Sequence, residues 1–229
     1  MLTPSSLIDF TPCVNLRSIQ WSISTDLVVE QNLSLHLPSL EDLRLSFDPV
    51  AWPKVAEVLR AMTSCRPQRL KLCMGPRSSN IDAHGPALEN LDQFLSRVHT
   101  LEVESWDVNN DEDDDRDDDD EDDDDDTSSD TLADVERLLL QSPMLSNLSI
   151  IGIPKLPELL PRLPKTLWLN IRRLTLKDVG EVFGELESLL TYRRDQGVEP
   201  MEFVEMSHDM HSFFYFIRLK RLVKTLEWS

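Results

Sequence analysis

An α/β solenoid of about eight strand–helix units, stacked on one parallel sheet, is the fold class this sequence predicts. Three observations predict it. A short pattern, apolar-x-x-apolar-x-apolar, recurs eight times in 229 residues. Its starts lie 24, 27, 31, 47, 26, 27 and 25 residues apart, a near-constant period broken once. Between the copies run stripes of apolar residues at helical spacing. A fixed period of about 20–50 residues marks units that bury their apolar faces only by stacking on neighbours.

The strands come first. The pattern fits Leu16, Ile19, Trp21, then Leu40, Leu43, Leu45, with a weaker copy at Pro67, Leu70, Leu72. It returns at Val98, Leu101, Val103, at Leu145, Leu148, Ile150 and at Ile171, Leu174, Leu176. The last copies are Val198, Met201, Phe203 and Val223, Leu226, Trp228. The helices follow from positions i, i+3, i+4 and i+7. Val55, Val58, Leu59 and Met62 form one stripe, with Pro53 placed where a first helical turn accepts it. Leu88, Leu91, Phe94 and Leu95 form the next. Leu132, Val135, Leu138 and Leu139 form a third, with Asp130 as its cap. Val179, Val182, Phe183, Leu186, Leu189 and Leu190 make the longest stripe. Met210, Phe213, Phe214 and Ile217 make the last, starting near Ser207 or Asp209. The stretch PKLPELLPRLPK, 154–165, holds four prolines, so an irregular or short 3₁₀ element is expected there.

The 47-residue interval contains DEDDDRDDDDEDDDDD, residues 111–126. Fifteen carboxylates against Arg116 account for −14 of the net −19 and leave −5 for the rest. Removing about 20 residues restores a period near 27. The tract therefore reads as a loop over 108–129, inserted after the fourth strand into a single domain spanning 1–229. Like charges that bury nothing keep such a run disordered. Closure entropy grows only logarithmically with length, so a rim loop tolerates it. Three readings stay open: a solubilising insertion, a capture arm for histones or other basic nuclear proteins, and a flap that folds back on the basic residues of the sheet.

An acidic surface repels phosphates, so no nucleic acid is expected as partner. Cys13, Cys65 and Cys73 have no metal spacing and read as reduced, hence an intracellular, cytoplasmic or nuclear chain. The N-terminus lacks a basic region followed by an apolar one, so no signal peptide is expected. FFYFI, 213–217, is too short to span a bilayer, so no membrane partner is expected. No phosphate-binding loop, dinucleotide fingerprint, nucleophile elbow or zinc-protease motif occurs. His208 and His211 could share a helix face and a metal, but read rather as solvated polar positions opposite Phe213 and Phe214. Cys73 could meet His99 across adjacent strands, but no orienting third group is evident there. The expectation is a non-enzyme without a cofactor or a metal.

Strand residues between the core positions point away from the helices. That row groups charge: Arg44, Arg69 and Lys71, then Glu102 and Glu104, then Arg173 and Lys177, with Glu202 beyond. These eight are the candidate contacts for a protein partner.

Segments such as LEDLRLSFD (40–48), VHTLEVESWD (98–107) and IRRLTLKDVG (171–180) resemble strands of leucine-rich-repeat proteins. The spacing resembles that of fungal F-box proteins with such repeats. The resemblance covers residues 16–229 and implies a horseshoe with a parallel concave sheet. It also implies a protein-recognition scaffold, like the substrate-binding part of an F-box-type ubiquitin-ligase adaptor. The turn position that holds Asn or Cys in standard repeats holds Ser24, Asp48, Gly75, Trp106, Ile153, Val179 and Met206 here. The turns must then be satisfied otherwise. The chain starts almost in the first repeat, so the recognition half alone is expected, without an F-box. The acidic stretch resembles that of the acidic leucine-rich nuclear phosphoproteins, where it is a C-terminal tail. After Trp228 an open sheet edge is expected, met by edge pairing or by a further segment.

Overall fold

A computed structural model describes residues 15–29, 35–62, 64–75, 91–105, 127–207 and 213–228, without the side chains of 127–131 and 213–214. The acidic tract 111–126 lies outside the described residues. So do Cys13, His84, Leu88, Trp106, His208, Met210 and His211.

Eight strands form one sheet in sequential order, every neighbouring pair parallel. They are β1 (Ser18–Ile23), β2 (Asp42–Phe47), β3 (Arg69–Met74), β4 (Thr100–Ser105), β5 (Asn147–Ile151), β6 (Arg173–Lys177), β7 (Phe203–Met206) and β8 (Leu226–Trp228). The helices among the described residues are α1 (Trp52–Ala61), α2 (Asp92–Leu95), α3 (Thr127–Leu140), α4 (Leu156–Leu159), α5 (Phe183–Asp195) and α6 (Phe213–Leu219). The architecture is α/β, with strands alternating with helices around one open parallel sheet. Parallel neighbours require a crossover, and each crossover here contains a helix, a 3₁₀ turn or both, wherever it is described. In the β1–β2 crossover, by contrast, the described residues hold no helix, and Leu27, Leu35 and Leu37 are buried.

Strands β2 to β7 enter the sheet in the same way. Two successive N–H groups donate to one carbonyl of the preceding unit: Glu41 and Asp42 to Arg17, Gln68 and Arg69 to Glu41, His99 and Thr100 to Gln68. Ser146 and Asn147 donate to His99, Arg172 and Arg173 to Ser146, and Glu202 and Phe203 to Arg172. The repetition aligns Leu43, Leu70, Leu101, Leu148, Leu174, Val204 and Leu226 in one row. The first six are buried and pack with the helical residues into one continuous core. Each fully buried aliphatic side chain contributes about 1.5–3 kcal/mol. Strand residues alternate between this core and the opposite face, so among the described residues the helical layer covers one face of the sheet only.

The seventh unit corrects the sequence reading. Met201, Val204 and Met206 occupy the apolar places, not Val198, Met201 and Phe203. Both triplets satisfy the pattern three residues apart, and an odd shift exchanges the faces of a strand. Phe203 and Glu205 therefore point outward, and Val204 is buried.

The described residues of the stripes in and beside α1, α2, α3 and α5 are buried; Leu88 of the second stripe lies outside them. Pro53 lies in the first turn of α1. The helix α3 starts at Thr127 rather than at Asp130, and takes in three residues counted with the loop. The proline-rich stretch holds a single α turn, α4, with Pro157 in its first turn, before a 3₁₀ helix over Lys165–Leu169. In α6, Ile217 is 44% exposed, and among the side chains described there Leu219 is the buried one. Its neighbours Tyr215 and Phe216 dock on aromatics instead. Phe183 stacks on Tyr215 at 5.5 Å and on Trp228 at 5.9 Å, and Phe216 meets Trp228 edge-on at 5.1 Å. Arg193 of α5 is buried, and donates to the Trp168 carbonyl and, at 2.8 Å, to that of Glu199. Burial lowers its pKa.

Gly152 ends β5 with φ +70°, and a Cβ there would run into the Ser105 carbonyl oxygen. Gly184, early in α5, has open space around it. Gly152→Ala is expected to lower the unfolding free energy by about 2 kcal/mol or more, through left-handed strain and backbone clash. Gly184→Ala should raise it by about 0.5 kcal/mol. Urea titrations of both variants check the contrast; equal midpoints would refute the β5–β4 packing.

Candidate functional site

The uncovered face of the sheet consists of three rows, set by strand register. The first runs Ser18, Asp42, Arg69, Thr100, Asn147, Arg173, Phe203. The second runs Gln20, Arg44, Lys71, Glu102, Ser149, Thr175, Glu205, Glu227. The third runs Ser22, Ser46, Cys73, Glu104, Ile151, Lys177. Five basic and five acidic side chains balance, so this face is neutral while the chain is strongly acidic.

The charges are paired within the face. Arg69 bonds Asp42 on the neighbouring strand. Lys71 bonds Glu102 and, at 2.8 Å, Glu104. Lys177 meets Glu205 at 2.7 Å, and Thr175 donates to Glu205 at 3.4 Å. Arg173 lies over the Phe203 ring, 5.0 Å from its centre, a cation–π contact. Asn147 donates to Thr100 at 3.0 Å. Strand β5 adds no charge, so Ser149 and Ile151 form a neutral middle between the Lys71 cluster and the Lys177 pair.

Seven of the eight candidate residues lie on this face: Arg44, Arg69, Lys71, Glu102, Glu104, Arg173 and Lys177. The eighth, Glu202, does not. It occupies the strand-entry position equivalent to Arg172, and pairs with Arg172 at 3.6 Å. Glu205 takes its place on the face. The signal was present in the sequence, because Met201-x-x-Val204-x-Met206 fits the apolar pattern as well as the triplet chosen.

Cys73 is on the outward row yet only 6% exposed, with its Sγ 3.7 Å from Glu104 Oε2. Burial raises the pKa of the thiol, against the pull of Arg44 and Lys71. Cys73 does not meet His99. It pairs in register with Glu104, five residues and about 16 Å along β4 from His99. The His99 Nδ1 lies 3.2 Å from the Met144 carbonyl. Cys65 is buried, its Sγ 3.3 Å from the Leu35 carbonyl, and burial raises its pKa too.

The turns lacking Asn are satisfied by other groups. Gly75 N–H donates to Phe47, Gly152 N–H to Lys177 and Ser207 N–H to Leu176. Ser142 Oγ donates to the Leu138 carbonyl at 2.7 Å. A cleft of about 220 Å³ opens at the ends of β6 and β7, lined by Leu176, Asp178, Val182, Phe183, Met206 and Ser207. Asp178 adopts φ +52° there, and its N–H donates to Ser207 Oγ at 2.7 Å. Among the described residues no three metal-ligating side chains cluster, and no helix is long and apolar enough to cross a membrane.

An open α/β sheet with one covered face and one polar, charge-balanced face defines the class of this molecule. No family model matches the chain, and neither a curated protein nor a solved structure matches it.

Lys71 provides a pH-dependent test. Its burial lowers its pKa, but hydrogen bonds and attraction from Glu102 and Glu104 outweigh that and hold it above the ordinary lysine value. A raised folded pKa means the stabilisation is complete below the unfolded lysine value and fades as pH rises through the folded one. Lys71→Met is expected to cost about 1–2 kcal/mol at neutral pH, between exposed and buried pairs. The gap to wild type should hold from about pH 7 to 10 and narrow above that. A gap that is the same at about pH 11 would show that Lys71 acts through packing alone.

Proposed function

We propose that this chain is a non-enzymatic protein-recognition scaffold of the leucine-rich-repeat type, which reads a partner with the uncovered face of its sheet. The single observation that carries the reading is the face itself: three in-register rows of polar and charged side chains, left open by a helical layer on the other side. A parallel sheet is ordinarily covered on both faces. Repeat folds are the class that leaves one face to a ligand. The equal entry geometry of six successive units supports the repeat assignment. Paired charges supply orientation and exclude wrong partners more than they add affinity.

The resemblance to the repeat region of F-box proteins supports a protein as that partner, without carrying over assembly with a ligase. The alternative is capture of basic proteins by the acidic tract, whose fifteen carboxylates stand together in sequence. Folding of that tract onto the sheet is the weaker use of it. Most of the basic side chains it would cover already have carboxylate partners on neighbouring strands, and exposed pairs are worth only about 0–1 kcal/mol each.

Affinity capture from a cell lysate at moderate salt, with the captured proteins read by mass spectrometry, separates these readings. Ser149→Arg puts a long charged side chain into the neutral middle of the face. It is expected to cut recovery of the specific partner at least about fivefold, roughly 1 kcal/mol. Deletion of 111–126 is expected to leave that partner bound. The opposite pattern, loss with the deletion and retention with Ser149→Arg, assigns recognition to the tract and overturns the proposal.

A further inference from the structure

Among the described residues, every basic side chain on the outward face but one has a carboxylate or an aromatic ring as partner. The exception is Arg44 of β2. Among the described residues no carboxylate lies within ion-pair distance of it, and its Nε is buried with no hydrogen-bond partner. Its neighbours in the second row are Gln20 on β1 and Lys71 on β3, and Lys71 is engaged by Glu102 and Glu104. The adjoining third row offers Ser22 and Ser46, both hydroxyl donors. Among the described residues, the side chain that meets the guanidinium is the Cys73 thiol, a weak acceptor. A desolvated guanidinium N–H without an acceptor is a standing cost that a bound acceptor removes.

From this corner we infer a carboxylate-binding subsite: Arg44, flanked by Gln20, Ser22 and Ser46, receives an aspartate or glutamate side chain of an acidic partner segment. The inference rests on the recognition face proposed above and names the chemistry of one of its contacts. Arg44 is the place where an incoming carboxylate gains a counter-charge without displacing an existing pair. At Arg69, Lys71 or Lys177 it would compete with Asp42, Glu102, Glu104 or Glu205. Arginine suits the role because Nε and one Nη form a planar edge that holds a carboxylate through two parallel bonds. The guanidinium swings from Cys73 toward solvent, and its Nε–H gains an acceptor. Gln20 and the serines donate to the remaining carboxylate lone pairs. β1 is the first strand of the sheet, so among the described residues no further strand flanks the corner on the side away from Lys71.

The probe is a fluorescein-labelled peptide alternating glutamate and serine, with its glutamine analogue as control, titrated into the intact chain. Fluorescence anisotropy reads affinity, and the Arg44 Nε–H resonance of isotope-labelled protein, assigned by its loss in Arg44→Gln, reads the contact. Saturable binding of the glutamate peptide with a shift of that resonance is expected. Arg44→Gln should weaken binding at least about tenfold, and Arg69→Gln less than about threefold. Urea midpoints equal to wild type establish that both variants are folded. No saturable binding, or equal losses in the two variants, overturns the subsite. Binding that appears only after deletion of 111–126 also overturns it, since the chain's own tract then fills the corner. The lysate capture with Ser149→Arg involves no acidic peptide, so the recognition face stands or falls separately.

Discussion

Two consecutive N–H groups at the start of each strand from β2 to β7 converge on a single carbonyl at the entry of the strand before it, and that carbonyl sets the register. From Arg17 to Arg172 the same contact is made six times. It brings Leu43, Leu70, Leu101, Leu148, Leu174 and Val204 into one buried row, and sends the residues between them to the other face. Core and surface are therefore two consequences of one hydrogen-bond geometry. A slip of one residue at any strand would bury charges and expose aliphatics from that strand onward.

The same register decides the electrostatics. Side chains that look like separate basic and acidic groups along the chain become neighbours about 5 Å apart across strands. Lys71 thus meets Glu102 and Glu104, and Lys177 meets Glu205. The uncovered face is neutral, although the chain carries −19. Its pairs fix side-chain positions and leave the β5 region, with Ser149 and Ile151, as the uncharged centre. Under the proposed recognition role, a partner seated there would be positioned by flanking charges that are already ordered, which would lower the entropic cost of recognition.

The strand pattern was legible because its apolar positions are buried by stacking, and burial imposes a period on sequence. Seven of eight strands could be placed to the residue. β7 could not, since Val198-x-x-Met201-x-Phe203 and Met201-x-x-Val204-x-Met206 satisfy the same pattern. Only the hydrogen bonds of Glu202 and Phe203 to Arg172 separate them. That misplacement moved Glu202 onto the face and Glu205 off it. The outward position of Ile217 was hidden too, because α6 docks through stacked rings rather than an aliphatic stripe. Cross-strand pairing is a tertiary property, so the sequence shows which charges exist and not which of them neutralise one another. The buried Arg193, bound to two carbonyls, carries no sequence signal at all.

Disulfide trapping at the β6–β7 step tests the register account most directly. Thr175 lies opposite Glu205 in the structure, whereas the alternative alignment sets it opposite Glu202. Cysteines at 175 and 205 should oxidise to an intramolecular bridge that a reducing agent reverses, since in-register neighbours fall within the roughly 4.4–6.8 Å Cα separation a disulfide spans. Cysteines at 175 and 202 should stay reduced under the same conditions. Efficient bridging of 175 with 202, and none with 205, would contradict the common entry geometry and the recognition face built on it.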